Sequence, residues 1–188
     1  MRHDRNIVLI GMPGSGKSTV GVILAKTLGM DFVDTDLLIC KRECSTLQEI
    51  LDSRGLEEFL DIEEKTVLAT DLRGTVIATG GSVPLRAAAM EHLKRNGTIV
   101  FLDVALPELE RRISNIVTRG IAFAPGQTLA DIYAIRLPIY RRWADISVVA
   151  GGGGITTEQM VEQIIGNQLI KGAVNQWKIS GTQETTPC

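Results

Sequence analysis

Residues 7–19 read "IVLIGMPGSGKST", and no other stretch limits the fold as strongly. Four aliphatic residues, a glycine-rich turn and then Lys17, Ser18 and Thr19 demand a buried strand, a sharp loop and a helix start in direct succession. The fixed positions are Gly11, Gly16, Lys17 and Ser18, a spacing that makes a phosphate cradle between a strand and a helix. Its glycines let backbone amides point inward, and the helix N-terminus adds its positive end. Gly11, Gly14, Ser15, Gly16, Lys17, Ser18 and Thr19 are therefore the expected contacts to a nucleotide's phosphates. Lys17 would neutralise β/γ-phosphate charge and Ser18 would ligate Mg²⁺. A turn that needs only glycine explains neither residue.

Strands and helices alternate behind this loop. Residues 6–10 read as the entering strand, 17–28 as a helix closed by Gly29, and 31–36 as a short strand with acids at its C-terminal end. A capping box of Thr46 and Glu49 opens a helix, and another runs over about 56–72. A buried strand over 74–81 ends in a glycine pair, and Pro84 opens a helix that stops at the basic residues before Gly97. Residues 98–104 are a strand, Pro107 starts a helix, and 146–150 form the last strand. Four glycines (151–154) read as a hinge or turn, and Thr156 with Gln159 caps a helix to about Ile170. Five mostly apolar strands separated by helices predict an α/β fold, a five-stranded parallel sheet covered by helices on both faces. Residues 1–170 make one domain, and the polar, aperiodic residues 171–188 make a loose tail.

Composition removes several function classes. The net charge of −2 points to neither nucleic acid nor an anionic membrane. Charge is concentrated, however: Arg111, Arg112, Arg119, Arg136, Arg141 and Arg142 share their segment with one acid, Asp131. Guanidinium forks bind phosphate and carboxylate, so this segment is expected to face an anionic ligand. Arg111, Arg141 and Arg142 read as a solvated helix face, whereas the context of Arg119 and Arg136 favours the ligand. Cys40, Cys44 and Cys188 make no secreted disulfide set, and no zinc spacing is present. No run approaches a membrane span and the first residues lack a signal peptide's pattern, so the expected location is cytoplasmic.

In an open parallel sheet, ligands bind beyond the carboxyl ends of the strands. The opening loop, Asp34 with Asp36, and Gly80 with Gly81 all fall there. Alternation along a strand would turn both acids to one side. One can hold a Mg²⁺ water while the other accepts a hydrogen bond from a substrate hydroxyl. Residues 79–82 (TGGS) would offer exposed amides to a small polar ligand. Arg112 and Arg119 precede a Gly/Pro-containing stretch without periodicity, which reads as a mobile lid at about 114–127. Such a lid lays an arginine over the phosphates and excludes water.

With these residues placed, the chain resembles the shikimate kinase family over roughly residues 5–170. The resemblance rests on "GMPGSGKSTVGVILAKTLGMDFVDTD", "ILDSRGLEEF", "VIATGGS" and "IRLPIYRRWAD", in order and spacing. It implies a three-layer P-loop kinase fold and ATP- and Mg²⁺-dependent phosphorylation of a small hydroxylated acid, the 3-hydroxyl of shikimate, by a monomer without nucleic-acid or membrane partners. Carried over by position, Lys17, Asp36 and Arg119 are catalytic and Ser18 and Asp34 serve the metal. Arg112 lies near adenine, and Arg119 is the lid arginine. Asp36, Gly80, Gly81 and Arg136 bind the acceptor, Arg136 through its carboxylate, and Glu63 orients the substrate-binding arginines. Three positions depart from the pattern: Leu60 stands where a second carboxylate-binding arginine belongs, Ser82 where a glycine belongs, and Gly120, Ile121 and Ala122 follow Arg119 in place of Pro-Leu-Leu. Lys65 or Arg54 are candidates to replace the missing cation. A different small-molecule acceptor, or a nucleotide-binding regulatory protein without catalysis, are the alternatives.

Overall fold

The computed structural model describes residues 4–113, 126–150 and 155–171. Strands β1 (Asn6–Ile10), β2 (Asp31–Asp34), β3 (Thr75–Ala78), β4 (Gly97–Val104) and β5 (Ile146–Ala150) form one sheet in the order β2-β3-β1-β4-β5. Every pairing is parallel, with Ile7 opposite Val76 on one side and Ile10 opposite Phe101 on the other. All of β1 and β3 is buried whichever way a side chain points, so both faces of the sheet are covered. The α/β expectation holds.

The covering helices are α1 (Lys17–Leu28), α2 (Thr35–Glu43), α3 (Leu47–Leu68), α4 (Ala87–Arg95), α5 (Leu106–Ile113), α6 (Leu129–Trp143) and α7 (Thr157–Gly166). α1 packs on α7, while α4 and α6 pack on β4. Side-chain chemistry sets their starts: Thr46, Thr128 and Thr156 each close a capping box with the residue three positions on. α3 holds the two helical segments read in the sequence, merged across Gly55, whose φ of 79° breaks the helical path. Its second segment stops at Leu68 rather than near 72, because Thr70 turns back to bond the Val67 carbonyl.

Three boundaries differ from expectation in ways that bear on function. β2 ends at Asp34, not Asp36, because the Asp34 carboxylate caps α2 by accepting the Asp36 N–H at 2.9 Å. Asp36 thus rides the first helical turn instead of alternating with Asp34 along a strand. Pro84 sits in a short 3₁₀ turn (83–85) rather than opening the helix, and α4 begins at Ala87. α7 ends at Gly166, with a further helical turn at 168–171.

Apolar burial divides into two clusters. The larger runs under the whole sheet, from Val8, Leu9 and Ile10 to Tyr140 and Ile164. The smaller gathers Ile39, Ile50, Phe59, Leu60 and Ile62 between α2 and α3. Of the lid expected over 114–127 all but the last two residues, and of the tail expected over 171–188 all but the first, lie outside the described residues.

Candidate active site

The loop between β1 and α1 lines one end of a cleft of about 740 Å³ at the carboxyl edge of the sheet. Gly14 and Gly16 have φ of 78° and 93°, conformations that only glycine takes without strain. A side chain at Gly14 would also strike Ile113 at 2.9 Å. Gly16 is the N-cap of α1 and offers no side-chain cap, so the first amides of the helix have no internal partner. Amides placed so bind anions.

Lys17 closes the loop on itself. Its Nζ donates to the carbonyls of Gly11 at 2.9 Å and Met12 at 3.0 Å. Burial pushes the ammonium down to about 8, against the pull of Asp36 and Asp34. Ser18 Oγ donates to Asp34 Oδ2 at 2.6 Å, and Asp34 Oδ1 accepts the Asp36 amide. Ser18 and Asp34 are therefore adjacent hard oxygen donors beside the loop. Mg²⁺ takes one or two protein oxygens and completes its shell with phosphate and water, so this donor set fits it. Arg112 reaches the same end: Nη1 donates to the carbonyls of Gly14 and Ser15 at 3.4 Å while Glu108 accepts from Nε at 2.7 Å. Arg111 touches the rim of the cleft, but its side chain is 74% exposed, on the solvated face expected of it. Arg141 pairs with Asp103 at 3.1 Å and is absent from the lining.

The other end is built from side chains. Asp36, Glu63, Ser82, Phe59, Leu47 and Arg136 line it. Arg136 is 5% exposed on α6, one turn from the buried Tyr140. Glu63 is 1% exposed, and its Oε2 accepts a very short hydrogen bond from the Ser82 hydroxyl. Burial pushes the Glu63 carboxyl up to about 8; the Ser82 bond opposes this and Asp36 adds to it. A side chain at Gly80 would collide with Glu63 Oε1 and approach Asp36 Oδ1 at 2.8 Å, so two acidic oxygens flank one glycine.

Two expectations about this end change. The Gly80 amide is buried and donates to Thr35 Oγ1 at 2.9 Å, so it is not the exposed donor that the TGGS stretch suggested. The turn serves to bring Glu63 and Asp36 together instead. Leu60 is 7% exposed in the smaller apolar cluster and is not among the residues lining the cleft. Neither candidate replacement reaches it: Arg54 is tied to Glu43 at 3.0 Å, and Lys65 is exposed elsewhere on α3. Arg119 lies outside the described residues.

Two contributions escaped the sequence reading. Ile155, Thr156, Thr157 and Glu158 bring the start of α7 to the cleft wall. The glycine run before Thr156, at the carboxyl end of the last strand, was the available signal. Tyr140 donates to the Gly81 carbonyl at 2.7 Å and fixes the turn after β3, with burial pushing its phenol up to about 12. A helical tyrosine inside an arginine-rich block gives no such sign in sequence.

Residues 13–168 match the family described as shikimate kinase. The chain is 36% identical to the shikimate kinase of Sulfurihydrogenibium sp., covering 86% of this chain and 96% of that protein. It is 37% identical to human threonine synthase-like 1 over 86% of its own length, but spans only 22% of that relative. Among solved structures, the shikimate kinase of Acinetobacter baumannii in complex with shikimate has a TM-score of 0.78 at 27% identity, with 96% of each chain covered.

Proposed function

The chain belongs to the shikimate kinase family, and from that footing we propose that it transfers the γ-phosphoryl group of ATP to a hydroxyl of a small carboxylic acid, shikimate. The supporting observation is that one cleft joins Lys17 and Ser18, which Asp34 holds from behind, to Asp36 and Arg136. Phosphoryl transfer asks a protein mainly to position groups and neutralise charge. The amides at the start of α1 hold the phosphates, and the Lys17 ammonium offsets their charge. Bound between Ser18 and Asp34, Mg²⁺ would supply the additional positive charge that spreading phosphate oxygens require. Asp36 accepts the proton of the acceptor hydroxyl as its oxygen bonds to phosphorus and ADP leaves. Arg136 grips the acceptor's carboxylate and holds the hydroxyl in line. Arg112 steadies the nucleotide end through the loop carbonyls, and Arg119 is the arginine proposed to close over the phosphates.

A coupled ADP-release assay tests this reading. ADP formation dependent on both shikimate and Mg²⁺ supports it, and no turnover above background at millimolar shikimate sinks it. One observation favours a second reading with the same chemistry and a different acceptor. Leu60 packs away from the cleft, and Arg136 and Lys17 are the cations that the described residues place beside Asp36 and Glu63. A panel of small hydroxy acids and polyols in the same assay separates the two.

A further inference from the structure

The two departures on the acceptor side, Leu60 and Ser82, meet at one residue. Leu60 precedes Glu63 by one helical turn of α3, and its side chain is spent on the cluster of Ile39, Ile50, Phe59 and Ile62. Glu63 is buried in the cleft and makes no ion pair within 4 Å among the described residues. A buried carboxyl without a close cation needs a hydrogen-bond donor. Ser82 is that donor: it is 3% exposed, sits in the turn after β3, and bonds Oε2. The other oxygen, Oε1, lies over Gly80 beside Asp36 Oδ1. The charged groups around it are Asp36 on α2, Arg136 on α6 and Lys17 on α1.

We propose that Ser82 is a positioning residue for the acceptor, holding Glu63 by Oε2 so that Oε1 faces the acceptor end of the cleft beside Asp36. A neutral hydroxyl on the β3 turn thereby replaces an ionic partner on α3, and position 60 is released to pack as an apolar residue. The pair makes this wall of the cleft one that meets the acceptor with a hydrogen-bonding carboxyl rather than with a second fixed cation. This rests on the reading that the cleft phosphorylates a small acceptor.

A double-mutant cycle tests it. Ser82→Ala is expected to raise the acceptor KM by about five- to tenfold, as loss of a bond to a buried carboxyl does, with the ATP KM held within about twofold. In Glu63→Gln the same Ser82→Ala change is expected to add little, because its effect passes through Glu63. Ser82→Thr, which keeps the hydroxyl, is expected to recover most of the loss. Independent, additive effects, or equal changes in both KM values, overturn the proposal. The second readout needs no turnover: ¹³C NMR of the Glu63 carboxyl should titrate at higher pH in Ser82→Ala than in the parent, since a bond that favours the carboxylate is gone. An unchanged midpoint overturns the pairing. If the parent phosphorylates no acceptor, the kinase reading fails alone, and the carboxyl titration still decides the role of Ser82.

Discussion

The two ends of the cleft are made of different material. At the nucleotide end the contacts come largely from backbone: the carbonyls of Gly11 and Met12 bond Lys17, those of Gly14 and Ser15 bond Arg112, and the first amides of α1 have no side-chain cap. At the acceptor end they come from side chains of Asp36, Glu63, Ser82 and Arg136, on elements that meet only in the folded chain. A backbone-built site tolerates little besides glycine at its turns and changes little elsewhere. A side-chain site can be retuned one residue at a time. The difference teaches where specificity can drift and where it cannot.

The largest expected effect tests the nucleotide end. Lys17→Ala removes both the positive charge offered to the phosphates and the two bonds that close the loop, so kcat should fall by roughly 10²–10³-fold, as for loss of one preorganised transition-state donor. Steady-state ADP release measures it, and a fall of less than tenfold would mean the loop works without its lysine. Next comes Leu60→Arg. A guanidinium forced into the small apolar cluster should cost about 2–4 kcal/mol of stability in urea unfolding. Improved shikimate use with stability intact would instead show that position 60 reaches the cleft, erasing one difference between the ends.

Arg136→Ala isolates the acceptor end. Loss of a charge-assisted clamp is worth about 1.5–3 kcal/mol, roughly ten- to a hundredfold in acceptor KM, with the ATP KM nearly unchanged. Equal changes in both would remove the proposed division of labour. A test of another kind is one of pH. Glu63 ionises near 4.5 when unfolded and at about 8 when folded, so the folded chain holds the extra proton between those values. Its contribution to stability is complete below about 4.5 and is lost as pH rises towards 8. Glu63→Gln should flatten that decline in urea midpoints measured from pH 5 to 8; an unchanged slope would place the titration on another group.

How far the sequence could be read follows the same division. The loop, the five strands and the capping boxes are local patterns, each written in a few consecutive residues, and the structure has them nearly where the spacing puts them. Asp36 was misread as a strand residue because Asp34 can end a strand or cap a helix, and only the α2 that follows decides. Leu60 was placed in the acceptor site by alignment of position, yet a helix rotates its neighbours to different faces, and its own side chain went to the apolar cluster while Phe59 and Glu63 face the cleft. The Glu63–Ser82 and Tyr140–Gly81 bonds join residues 19 and 59 positions apart, and no local pattern announces them.

The small apolar cluster around Phe59 shares no residue with the large one beneath β1. Substitutions there can reshape the cleft wall that Leu47 and Phe59 form without disturbing the packing beneath β1. Among relatives built this way, acceptor preference is free to diverge while the grip on phosphate stays fixed. Sorting such chains by the residues at positions 47, 59, 60 and 82 should then group them by the molecule they act on more faithfully than sorting them by the loop.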